Sequence, residues 1–123
     1  MILVDTSVWV DHLQRGSISL REALEREEVM THPFVIGELS CGNLKDRREV
    51  LELLTELPSA VVADEAEVLE FIETRHLMGK GVGYIEVHLL ASAILMEETR
   101  LWTRDKHLAE IATRMRLNFE EPV

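Results

Sequence analysis

Short apolar runs alternate with helically spaced apolar positions along this chain, starting at its first residues. Ile2-Leu3-Val4 is an unbroken apolar triplet ending at Asp5, the pattern of a strand buried on both faces. Thr6 and Ser7 then offer N-cap hydroxyls to a helix carrying Val8, Trp9, His12 and Leu13, and Gly16 stops it. Ser17 or Ser19 caps a second helix over residues 20–28, and residues 29–32 predict a second strand. Pro33 suits the first turn of a helix over residues 34–41, which breaks at Gly42 and Asn43. Residues 46–57 read as an amphipathic helix with Val50, Leu53, Leu54 and Leu57 inward.

Pro58 and Ser59 turn the chain into a third expected strand over residues 60–63. Residues 64–76 return to helix, with Val68, Leu69 and Ile72 inward. Gly79-Lys80-Gly81-Val82-Gly83 is a flexible loop, and residues 85–96 form a helix so apolar all round that it must be buried. Residues 101–103 predict a fourth strand, residues 105–115 a final helix and residues 117–119 a last short strand. Strands alternating with helices indicate an α/β fold, a three-layer α/β/α sandwich around a mostly parallel sheet of four or five strands. Sites in such sheets form at the carboxyl ends of strands. Asp5 and Asp105 both follow a predicted strand at that edge.

With 123 residues, the chain is expected to fold as a single domain over residues 1–123. Its 46% hydrophobic and 29% charged residues exclude global disorder. The longest apolar runs fall short of a bilayer span, and the opening residues lack the basic start of a signal peptide. No membrane association is expected. Cys41, the one cysteine, excludes an intramolecular disulfide, fits a reducing cytoplasm and reads as a small core residue. A balance of 13 basic against 23 acidic residues, net −10, argues against holding nucleic acid by bulk charge. An enzyme that meets nucleic acid through metal ions remains compatible with it.

Most of the acids sit in mixed-charge helices and read as solvated faces. Three do not. Asp5 ends an apolar strand, Glu38 interrupts the otherwise uncharged Phe34-Val35-Ile36-Gly37-Glu38-Leu39, and Glu86 is the sole charge between Lys80 and Glu97. A carboxylate buried alone costs several kcal/mol, so it must be paired, protonated or bound to metal. Asp105 joins them as a fourth candidate, although taken alone it reads more readily as the N-cap of the last helix. If the four meet, their repulsion raises at least one pKa until a cation neutralises it. Oxygen-only ligands favour Mg2+ or Mn2+, the apparatus of phosphodiester hydrolysis. Ser7 and Thr103 are placed to orient that centre through their hydroxyls, with capping and strand polarity as the plain alternatives.

These segments resemble a known family, the PIN domains, and within it the VapC toxins of bacterial toxin–antitoxin pairs. Ile2-Leu3-Val4-Asp5-Thr6-Ser7-Val8-Trp9 is similar to the first acidic motif and Pro33-Phe34-Val35-Ile36-Gly37-Glu38-Leu39 to the second. Gly83-Tyr84-Ile85-Glu86-Val87-His88-Leu89-Leu90-Ala91-Ser92-Ala93 resembles the third, and Leu101-Trp102-Thr103-Arg104-Asp105 the fourth. The resemblance implies a PIN-like fold and an endoribonuclease that needs Mg2+ or Mn2+, with catalytic and metal-holding roles carried onto Asp5, Glu38, Glu86 and Asp105. It also implies an RNA substrate, a cognate VapB-like antitoxin that blocks the acidic pocket, a homodimer, and contact with DNA only through the antitoxin. The net charge of −10 suits a basic partner. One position departs from the family: the third motif usually carries Asp where this chain has Glu86, one methylene longer.

Two other functions are weighed. A phosphatase or phosphoacceptor built on Asp5 would need an Asp at the position of Ser7, or an acidic pair before the strand, and neither is present. A PIN-fold binding module with weak or absent catalysis would follow if Glu86 fails to hold metal. The five histidines lack zinc spacing with Cys41 or one another, so His12 and His88 read first as helix packing. Trp9 and Trp102 read as core. Lys45, Arg47, Arg48, Arg75 and Lys80 are the candidate cations for RNA phosphates.

Overall fold

A computed structural model describes residues 1–122. The chain runs β1 (Ile2–Val4), α1 (Thr6–Arg15), α2 (Ile18–Glu25), β2 (Val29–Met30), α3 (Pro33–Ser40), α4 (Arg47–Glu56), α5 (Glu65–Arg75), α6 (Tyr84–Leu95), β3 (Arg100–Trp102) and α7 (Lys106–Arg114). The sheet has the order β2-β1-β3 and both pairings are parallel. Ile2 lies opposite Val29 and Arg100, and Val4 opposite Trp102. Helices flank this parallel sheet in an α/β sandwich. Since β2 and β3 lie on opposite sides of β1, the carboxyl end of β1 is where the chain changes direction across the sheet, the usual place for a site.

The expected four or five strands are corrected to three among the described residues. The two missing ones survive as single bridges, Thr31 to Ser59 beyond β2 and Leu101 to Asn118 beyond β3, both parallel. At the first, the Thr31 N–H donates to the Pro58 carbonyl at 2.8 Å and the Ala60 N–H to the Thr31 carbonyl at 2.7 Å. The ladder then ends because α6 takes over the next residue. Ser92 Oγ donates to the Val61 carbonyl at 2.6 Å, and the Val61 N–H reaches Met96 Sδ at 3.3 Å. Val61 and Val62 therefore face outward while Ala60 and Ala63 are buried.

β1 is buried along its whole length, as an apolar triplet at the centre of a covered sheet must be. Around it pack Leu20, Leu54, Leu89, Leu90 and Leu108, all without exposure. Each such leucine contributes about 2–3 kcal/mol of transfer free energy. Residues 87–93 of α6 are buried, as its all-round apolar character predicts, but Ile94 and Leu95 emerge at its end. Leu53 and Leu69, expected inward, are about half exposed. Cys41 is also corrected: it closes α3 on the surface and is exposed.

Local chemistry explains the helix ends. Ser17 Oγ accepts the Leu20 N–H, and Asp64 and Glu67 form a reciprocal capping box at α5. His32 starts α3: its Nδ1 accepts the Phe34 N–H at 3.0 Å, and Pro33 follows in the first turn. The start of α1 breaks the pattern. Asp5, not Thr6 or Ser7, holds the N-cap position, and its side chain makes no capping hydrogen bond. All three side chains are committed elsewhere.

Candidate active site

Asp5 ends β1 with its backbone still in the sheet, the N–H donating to the Trp102 carbonyl at 2.9 Å. Its carboxylate is 5% exposed, and two hydroxyls converge on one oxygen: Ser7 Oγ and Thr103 Oγ1 each donate to Oδ2 at 2.7 Å. Both hydroxyls are themselves oriented from behind. The Arg104 N–H donates to Ser7 Oγ and the Asp105 N–H to Thr103 Oγ1, each at 3.0 Å. Two relays of the form N–H to hydroxyl to carboxylate thus fix the Asp5 side chain with neutral donors. No cation pairs with it among the described residues.

Glu38 projects from α3, which packs against α1. The Thr6 hydroxyl donates to Glu38 Oε1 at 2.7 Å, so the two hydroxyls that sequence would assign to capping serve two carboxylates instead. Thr6 is the contact that sequence reasoning missed. The available signal was its excess: a helix needs one capping hydroxyl and this one begins with two.

Glu86 lies in the first turn of α6. Burial pushes its carboxyl above the usual range, and the charges of Asp5 and Glu38 push it further. Its carboxylate lies over Gly83, where a Cβ would stand in ordinary contact, 3.4 Å from Glu86 Oε1. Three of the four carboxylates are therefore electrostatically coupled. Asp105 is placed differently: its Oδ1 accepts the Leu108 N–H at 2.9 Å and so caps α7, while its backbone N–H supports Thr103. Among the described residues, no three carboxylate, imidazole or thiol side chains converge closely enough to share one ion. The donor set is nevertheless all oxygen, lacks a cationic partner and repels itself at Glu86, which fits a hard divalent cation in chemistry.

The sequence pattern of the PIN domain matches residues 2–114. The chain belongs to the PIN domain family. Among curated relatives it is similar to Ribonuclease VapC32 from two strains of Mycobacterium tuberculosis. Each is 46% identical over 108 residues, spanning 88% of this chain and 87% of the relative.

Several of the remaining candidates have structural employment in this PIN domain. Trp9 and Trp102 are buried, at 1% and 2% exposure, and offer no face to a nucleobase. Arg47 donates to the Ser40 and Gly42 carbonyls at the end of α3, and Arg75 stands over the Phe71 ring. His12 Nδ1 accepts the Ser17 N–H. His88 sits in an aromatic cluster with Phe34 and Tyr84, and with His32 behind them. Burial lowers the pKa of His88, and burial together with the facing His88 lowers that of His32 to about 4. Both imidazoles stay neutral at physiological pH. Gly81, in the loop before α6, has φ +79° and lies against the His107 ring, where a Cβ would come within 2.9 Å.

Proposed function

We propose that this PIN domain is an Mg2+- or Mn2+-dependent endoribonuclease that hydrolyses RNA phosphodiester bonds as the toxin of a VapBC-type pair. The observation that carries the reading is Asp5, a buried carboxylate held by two oriented hydroxyls instead of a cation, coupled to Glu38 and to a raised Glu86. That combination stores an unmet demand for positive charge at the carboxyl end of the central strand. The similarity to Ribonuclease VapC32 supports RNA as the substrate and a VapB-like antitoxin as partner.

In this reading Asp5, Glu38, Glu86 and Asp105 hold the ion. Mg2+ or Mn2+, when bound, would polarise the phosphodiester and acidify the attacking water. Ser7 and Thr103 keep the Asp5 carboxylate in one orientation, and Thr6 does the same for Glu38. The site works in the cytoplasm, reaches DNA only through the antitoxin and belongs to a homodimer. The exposed apolar face of Val62, Leu69 and Tyr84, around a shallow cavity of about 480 Å³, is the surface such a dimer would cover.

The test is cleavage of a panel of labelled RNAs by antitoxin-free protein in Mg2+, in Mn2+ and in EDTA, beside an identically prepared Asp5→Asn variant. Metal-dependent cleavage that vanishes in the variant is the expected result. No cleavage of any RNA, with no heat of metal binding by calorimetry, overturns it in favour of a non-catalytic binding module.

A further inference from the structure

The carboxylates create a difficulty for any RNA that reaches them. A polyanion approaching a chain of net charge −10, at its most acidic point, needs a fixed cation beside the site. Among the basic residues singled out from sequence, Arg47 is spent on α3 carbonyls and Arg75 on Phe71, while Lys45, which lines a groove with Thr6 and Glu38, has no acid to fix its ammonium among the described residues.

Arg104 is different. It stands between Thr103 and Asp105, and its backbone N–H is bonded to Ser7 Oγ, so its Cα is anchored to the hydroxyl network that holds Asp5. Its guanidinium is held in reserve by two acids. Nε lies 3.5 Å from Asp11 Oδ2 on α1, and Nη2 lies 3.1 Å from Oε1 of Glu121, which follows the last helix. The arrangement is cheap to open. Asp11 keeps a second partner, Arg15 at 3.1 Å, and Glu121 is a half-exposed carboxylate whose ion pair is worth little in water. A phosphodiester offers the guanidinium two oxygens in the fork geometry that it binds best.

We propose that Arg104 is the residue that positions an RNA phosphate at the carboxylate site, and that Glu121 occupies its guanidinium until RNA displaces it. The inference rests on the ribonuclease reading above. It makes the segment after α7 a weak competitor of substrate, built into the chain.

Opposite signs at the two partners test it. Binding of a fluorescein-labelled single-stranded RNA is followed by anisotropy in an Asp5→Asn background with Mg2+, over a range of KCl concentrations. KM and kcat for the same RNA are measured in the otherwise unaltered chain. Arg104→Gln is expected to weaken binding about tenfold and to flatten the plot of log K against log [KCl] by about 0.7, the share of one single-strand phosphate. Arg104→Lys restores the slope, which a merely structural role would not predict. Glu121→Gln is expected to tighten binding about threefold and lower KM with kcat unchanged, since it removes only a surface competitor. An Arg104→Gln slope equal to that of the parent, or unchanged affinity in Glu121→Gln, overturns the proposal while leaving the nuclease intact. RNA that is neither bound nor cleaved by the parent chain overturns both readings.

Discussion

Thr103 Oγ1 donates to Asp5 Oδ2 at 2.7 Å across 98 positions of sequence. The bond joins the ends of two neighbouring parallel strands, and the Asp105 N–H behind it determines which way the hydroxyl hydrogen points. Thr103→Val keeps the shape and removes the donor. Activity is expected to fall about 10- to 100-fold, the usual cost of losing a group that orients a metal ligand. Thr103→Ser should recover most of it. Equal kcat in the Val variant and the parent, at saturating Mn2+ and at limiting Mn2+, would show the bond to be incidental.

Glu86 gives a prediction with the opposite signs for stability and activity. Its folded pKa is raised, so ionising it costs the folded state more than the unfolded one. The loss of stability begins above the unfolded value of 4.5 and grows as pH rises through the folded value. Glu86→Gln should therefore raise the metal-free Tm at pH 7, by roughly 2–8 °C for each kcal/mol relieved, while abolishing cleavage. Mn2+ should raise the Tm of the parent chain, with about 2.7 kcal/mol gained at a hundredfold excess over Kd, and raise that of the variant far less. Thermal melts with and without Mn2+ decide it.

Much of this was legible in the sequence, for a definite reason. The apolar triplet before Asp5, the apolar stretch around Glu38 and the uncharged run around Glu86 mark these acids because burial makes an unpaired charge costly. Period and punctuation likewise locate seven helices and the central strand. What sequence misplaced depends on contacts between distant segments. Residues 60–63 have the composition of a strand, but Ser92 and Met96 of α6 claim the backbone of Val61. Cys41 has a buried residue's chemistry but falls at the exposed end of α3. Thr6 and Ser7 look like caps until the carboxylates they serve, Glu38 and Asp5, are located. Arg104 drew no notice because its partners, Asp11 and Glu121, are far from it in the chain.

His32 should make the fold acid-sensitive. Its Nδ1 must remain an acceptor to cap α3, and its pKa is lowered to about 4 from 6.5 by burial and by His88. The unfolded chain takes up this proton first. Between pH 6.5 and 4 the unfolded state binds more protons, so stability is lost as the pH drops across that window, by about 3 kcal/mol. His32→Asn keeps a capping acceptor and loses the titration. Urea unfolding at pH 7 and pH 4.5 should show a smaller pH difference for the variant; an unaltered difference would assign the acid sensitivity elsewhere.

Gly81 should resist substitution for two separable reasons. Ala there meets the His107 ring and must also adopt a positive φ. A loss of about 1–3 kcal/mol is expected. Adding His107→Ala should return the steric part and leave the backbone part, about 1 kcal/mol. A double-mutant cycle with zero coupling would show that the ring moves aside freely.

Cys41→Ser should leave stability within about 0.5 kcal/mol, because the thiol is exposed and fills no space in the core. The same change should abolish any disulfide-linked dimer formed in air, read on a non-reducing gel. A loss of several kcal/mol would return Cys41 to the interior.

The separation of Asp5 from Thr103 also has a consequence for biosynthesis. Asp5 leaves the ribosome 98 residues ahead of Thr103, the residue just after β3 whose hydroxyl aims it. At about 5–20 residues per second, several to some twenty seconds of synthesis pass between them. Until β3 docks beside β1, the carboxylate has only Ser7, and Ser7 lacks the Arg104 N–H that orients it. A nascent chain tethered among ribosomal RNAs therefore carries its acids unassembled, and the fold's topology delays any nuclease activity until β3 has been made and docked beside β1.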